Sequence, residues 1–195
     1  CFFCPGRSRG TPPSSGSVVA VGACRFSGRR CGPAGPRARA WAGRPDALGA
    51  AAGRVLACRG GAQDSQLVLA ALREAVRGDG PDESTLWPLV DGAGRLGIGC
   101  AAPVLRHVYR ETASSHLRGR AARALAATDP SFAAGFAVEC LWDCEESTRE
   151  VAARHAETGD ARVVNRLRRL AADPAEEDDV QSAVRSRIGP DAPAV

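Results

Sequence analysis

A chain of 195 residues is long enough for one ordinary domain, or for a smaller domain with an appended segment. All 26 basic residues are Arg, Lys and Met are absent, and no run approaches the roughly 18 apolar residues that crossing a bilayer requires. Residues 1 to 60 carry about +9 and residues 61 to 195 about −5, so the net charge of +4 describes neither part.

The run around Val18 to Ala23 lacks the length and flanks of a signal peptide, so the expectation is a soluble cytoplasmic protein. A gene very rich in G and C accounts for the Arg, Ala, Gly and Pro content and lowers the weight of any Arg cluster. The absence of Met leads us to expect either a processed or truncated product or a reading frame extended upstream.

From Cys1 to about Ala62 no helical or strand period is sustained, and Gly, Pro, Ser, Ala and Arg dominate. Residues 1–62 are therefore expected to form a low-complexity, disordered or non-native extension. Cys1, Cys4, Cys24 and Cys31 include one Cys-x-x-Cys pair, as a four-thiolate zinc site would. The second pair has six intervening residues, however, and free thiols are the preferred reading. Arg25, Arg29, Arg30, Arg37 and Arg39 beside Trp41 could form a nucleic-acid arm. Codon bias is the simpler explanation.

Beyond Asp64 the apolar residues fall into a 3.6-residue period. The spacing predicts a helix over 65–77, capped by Asp64 and stopped by Gly78, and a second from Glu83 after Asp82, where Pro88 is tolerable only near the start. A third is predicted over 100–112 and a fourth after Ser114 or Ser115, with Leu117, Ala121, Ala124 and Leu125 inward. A fifth over 130–141 stacks Phe132, Phe136 and Cys140, and a sixth over 146–157 ends at Thr158-Gly159. Asp160 caps a seventh helix with Val163, Val164, Leu167 and Leu170 inward. Asp173-Pro174 precedes an eighth with Val180, Ala183, Val184 and Ile188. With no credible strand the expected fold is all-α, with a repeat domain over 63–190 and a tail over 191–195.

Shifting the chain by 31 residues places Arg118-Gly-Arg-Ala121-Ala122-Arg123 on Arg149-Glu-Val-Ala152-Ala153-Arg154, and Asp129 on Asp160. A further shift of 31 places Ala183-Val184-Arg185 under Ala152-Ala153-Arg154. A pair of short helices cannot bury its apolar face alone, so stacked copies must share a core. The strings RGRAARALAATDPSF and REVAARHAETGDARVVNRL resemble the short HEAT repeats of phycobilin lyases and bacterial adaptors. The resemblance covers about residues 115 to 188, while 64 to 113 fit helix by helix. His155 and Ala156 stand where a Leu is usual, which weakens that repeat's core. The family implies a right-handed α-α superhelix, a HEAT-like α-solenoid of about eight helices. HEAT motifs specify architecture well and activity poorly.

No residue set makes a convincing catalytic constellation, and no cofactor or metal is expected. His107 and His116 lack a Cys or acid at useful spacing. Cys140, Cys144 and His155 could supply three metal ligands without an evident fourth. The run Glu176 to Asp179 is read as charge favourable at a helix start. Gly92-Ala-Gly94 and Gly97-Ile-Gly99 are too short to specify a phosphate loop.

Arg162, Arg166 and Arg169 are spaced four and three apart beside the inward stripe of the seventh helix. In HEAT solenoids the second helix of each pair lines the concave face, so the resemblance makes this ridge, with Asn165, the candidate partner-binding surface. The expected function is a non-enzymatic scaffold or adaptor binding another protein, with neither nucleic acid nor membrane as partner. The alternatives are a lyase-like or DNA-glycosylase-like HEAT enzyme, or nucleic-acid binding through the Arg-rich amino-terminal segment.

Overall fold

A computed structural model of the chain describes residues 35–78 and 83–189. Among these residues the regular structure is entirely helical. The α-helices are α1 (Pro36–Trp41), α2 (Ala47–Arg59), α3 (Ser65–Arg77), α4 (Glu83–Arg95) and α5 (Ala102–Glu111), followed by α6 (Ser115–Thr128), α7 (Phe136–Cys140), α8 (Glu146–His155), α9 (Ala161–Ala172) and α10 (Asp178–Ile188). Short 3-10 turns precede α3 and α5. None of the described helices is long and apolar enough to cross a membrane.

The helices pack with those adjacent in sequence, α3 on α4, α5 on α6, α7 on α8 and α9 on α10. The even-numbered helices also pack side by side, α2 on α4, α4 on α6, α6 on α8 and α8 on α10, and so form one continuous row. A single apolar cluster runs through all of it, from Leu56 on α2 through Leu89, Leu125 and Ala152 to Val184 on α10.

Small residues permit the close spacing of this row. A Cβ on Gly92 of α4 would lie 2.7 Å from Ala57 Cα of α2, and one on Gly94 would lie 2.9 Å from Ala124 Cα of α6. The Gly92-Ala-Gly94 segment is thus a two-sided packing surface. Gly97 has φ +60° at the end of α4 and completes a Schellman turn. In that turn the Gly97 amide donates to Gly94 O and the Ile98 amide to Ala93 O, while Ile98 is buried.

Several expectations are revised. Residues 36–59, placed within the extension, form α1 and α2, and Leu56 and Ala57 of α2 are buried in the core. The sequence of α2, ALGAAAGRVLACR, is built mainly from small residues and shows no apolar stripe. Its burial comes from close approach, as where a Cβ on Gly53 would lie 2.6 Å from Ala71 Cβ. Asp46 caps this helix by accepting from the Gly49 amide.

The fifth predicted helix is shortened to Phe136–Cys140. Asp129 accepts from both the amide and the hydroxyl of Ser131, which folds residues 130–135 into a turn, yet Phe132 and Phe136 remain buried. Pro88 sits well inside α4. It removes one rung of the helix at a cost of about 3 kcal/mol, which burial of Leu86, Leu89 and Val90, about 2 kcal/mol apiece, offsets. Asp160 caps α9 as predicted, and of Ser114 and Ser115 it is Ser114 that caps α6. Asp64 does not cap α3 with its side chain, and Asp82 lies outside the described residues. Ala156, at the end of α8, is fully buried.

Replacing Gly92 by Ala should destabilise the fold by about 1 to 3 kcal/mol, because the added methyl meets the backbone of α2. Urea denaturation followed by circular dichroism measures it, and a loss below the error of the fit would show that α2 and α4 can separate without cost.

Candidate functional site

Four arginines each reach a carboxylate in a later turn. Arg39 Nε lies 2.6 Å from Asp64 Oδ1, Arg118 Nε 3.0 Å from Asp143 Oδ2, and Arg149 Nη2 2.5 Å from Glu176 Oε1, while Arg106 pairs with Asp129. The carboxylates are nearly closed to solvent, with side-chain exposures of 1%, 6% and 5% for Asp64, Asp143 and Glu176. Arg118 and Arg149 are the residues that the 31-residue shift superimposes, so the recurrence marks this pairing.

Asp143 is the most connected of these groups. It accepts from Tyr109 Oη at 2.7 Å, from two nitrogens of Arg118 and from the Glu145 amide, and so organises the turn between α7 and α8. Burial would raise its pKa, but the hydrogen bonds from Arg118 and Tyr109 outweigh that and hold it below the usual carboxylate value. Burial first, and the bond to Asp143 second, push the Tyr109 hydroxyl up. Arg149 also donates to the carbonyls of Asp143 and Cys144 and thereby ties α8 to the same turn.

Cys140, Cys144 and His155 have separate surroundings. Burial pushes Cys140 up to about 12, Cys144 is exposed with Arg118 Nη2 3.0 Å from its sulfur, and exposed His155 stands edge-on to Phe132. Among the described residues, no three His, Cys, Asp or Glu side chains are arranged to hold a metal ion. Cys1, Cys4, Cys24, Cys31, Arg25, Arg29 and Arg30 lie outside the described residues. Arg39, one of the arginines considered for a nucleic-acid arm, is committed to Asp64. Glu176, read as helix-start charge, is the partner of Arg149.

The Arg162, Asn165, Arg166, Arg169 ridge divides into two kinds of residue. Arg166 is half-buried: its Nε donates to Leu141 O at 3.0 Å and its guanidinium lies 5.6 Å from the centroid of the Trp142 ring, so it holds α9 to the end of α7. Arg162 folds back on Asp160, while Asn165 and Arg169 are exposed.

A broader surface lies across the row of even-numbered helices. Trp87 of α4, His116, Arg120 and Arg123 of α6, and Glu146 and Ser147 of α8 line a shallow groove of about 390 Å³. Arg120 pairs with Asp91 and lies 5.0 Å from the centroid of the Trp87 ring. Glu146 and Ser147 also line the next depression, of about 270 Å³, together with Glu150, with Glu177 at the N-cap of α10 and with Asp178 and Asp179 of α10. The surface therefore passes from basic on α6 to acidic on α8 and α10. His116, Arg120 and Arg123 repeat the four-and-three spacing of the α9 ridge, and that was the sequence signal available for this face.

The chain matches no protein-family description, no curated protein and no solved structure. The HEAT-like reading accordingly rests on the 31-residue recurrence and the pairing of helices.

The depressed carboxylates set the acid behaviour. A group whose folded pKa lies below its unfolded value stabilises the fold above the unfolded pKa, near 4, and that stability is lost as pH falls through the folded value. Asp64, Asp143 and Glu176 all have this sign. The melting temperature should therefore fall steeply below about pH 4. Asp143→Asn should flatten that fall while costing about 3 kcal/mol at neutral pH through the unpaired Arg118. An unchanged acid slope in a thermal-melt series would remove Asp143 from this role.

Proposed function

We propose that this chain is a HEAT-like, right-handed helical scaffold that binds another protein along the exposed face of its even-numbered helices. The observation that carries this reading is the groove running from Trp87 across Arg120 and Arg123 to Glu146, Glu150 and Asp178. Four helices contribute to it, and each packs on the next. A broad, shallow surface with an aromatic and arginines suits protein recognition, where Trp and Arg anchors supply most of the binding energy and flanking charges select the partner.

The proposed interface lies on α4, α6, α8 and α10, and the α9 ridge is its competitor. Partner capture by the native chain can be compared with capture by two charge-reversed variants, Arg120→Glu with Arg123→Glu and Arg162→Glu with Arg169→Glu. The α6 pair should lower recovery of the partner by about tenfold or more, equivalent to 1.4 kcal/mol, and the α9 pair should leave it unchanged. The reverse result would move the interface to α9, and unchanged recovery in both variants would remove both surfaces.

A further inference from the structure

The row of even-numbered helices ends differently at its two sides. Every exposed residue of α10 is polar or charged, as the terminal helix of a stacked array has to be in water. At the other end, Leu48 and Val55 of α2 are 39% and 43% exposed. With Trp41 of α1 they are three of the four large apolar side chains exposed among the described residues. Apolar exposure concentrated at one end of the row marks a surface that another chain covers.

The exposed side of α2 has a definite pattern. Leu48, Ala51, Val55 and Cys58 are spaced three, four and three apart, which is the spacing of a coiled-coil seam. Gly49, Gly53, Leu56 and Ala57 occupy the opposite side of the helix and are buried. Ala51 is half-buried, and Cys58 is exposed with a free thiol. The seam is complementary to itself in one arrangement. Leu48 and Cys58 each lie five residues from Gly53, and Ala51 and Val55 each lie two. An antiparallel copy centred on that level sets Leu48 against Cys58 of the second copy and Val55 against its Ala51, a large side chain against a small one at all four levels. A parallel copy would set Leu48 on Leu48 and Ala51 on Ala51, and would leave gaps at the small levels. Head-to-tail stacking would press the apolar seam onto the polar surface of α10, so the pairing closes as a two-fold dimer.

We propose that α2 pairs antiparallel with α2 of a second copy of this chain, about a two-fold axis level with Gly53. The row of even-numbered helices then continues through the axis from one protomer to the other. No residue of α2 lines either depression across α4, α6, α8 and α10. The dimer therefore leaves that face open, and it stands whether or not that face recruits a protein.

The test uses the full chain in analytical ultracentrifugation, where a species of twice the chain mass should dominate at about 0.1 mM. Val55→Glu places a carboxylate from each copy in the seam and should raise the dissociation constant by about tenfold or more. Val55 is exposed in the single chain, so the circular dichroism of that variant should match the native spectrum. Leu48→Cys supplies a second readout. Oxidised with glutathione disulfide, it should give a covalent dimer in which the thiol introduced at position 48 is joined to Cys58 of the other copy, as mapped by mass spectrometry of tryptic peptides. Positions 48 and 58 of one helix are about 15 Å apart, too far for the same bridge to form within a chain. Adding Cys58→Ser to that variant should abolish the bridge. A native chain that stays monomeric at about 0.1 mM, an unchanged dissociation constant in Val55→Glu, or the absence of the bridge between positions 48 and 58 would each overturn the proposal.

Discussion

Where an arginine of one helix pairs with a carboxylate buried in the turn beyond the next, two elements separated by some 25 residues of chain are held in a single register. Arg39 with Asp64, Arg118 with Asp143 and Arg149 with Glu176 do this at successive positions along the described chain. Each carboxylate is almost closed to water, and such a group persists only when its partner and further hydrogen bonds replace the lost hydration. Asp143 shows how complete the replacement is, since Tyr109, two nitrogens of Arg118 and the Glu145 amide all donate to it. Loss of one arginine therefore leaves a buried charge and also releases a turn.

These pairs operate on helices that are already close. Ala57 against Gly92, and Ala124 against Gly94, bring backbones together where larger side chains would hold them apart. Close packing of the even-numbered helices presents their outer sides as one surface, so Trp87, Arg123, Glu146 and Asp178, distant in sequence, lie along one face. The ends of α3 and α5 and the starts of α4 and α6 leave a concavity whose apolar walls come partly from the core.

Helices with large apolar side chains were legible in the sequence. In α3, α5 and α9 the Leu and Val residues keep the helical period and little else fits them. Helix α2 was not legible, because Ala and Gly pack through backbone proximity, which leaves no apolar stripe to read. Residues 130–135 were read as helix because Phe132, Phe136 and Cys140 keep a four-residue spacing. Local hydrogen bonds from Asp129 to Ser131 compete successfully with the helix there. For the candidate site, Arg162, Asn165, Arg166 and Arg169 were visible as a ridge, yet Arg166 is committed to Leu141 and Trp142.

By itself the sequence determined the helical class, most helix bounds, the cap at Asp160, and the 31-residue recurrence, all of which are written in residues near one another in the chain. The tertiary structure alone decided which arginines are pinned and which face outward, and that Gly92 and Gly94 pack against two different helices. Those outcomes depend on neighbours tens of residues away, and a charge or a glycine has the same local signature whether its partner is water, a carboxylate or another backbone.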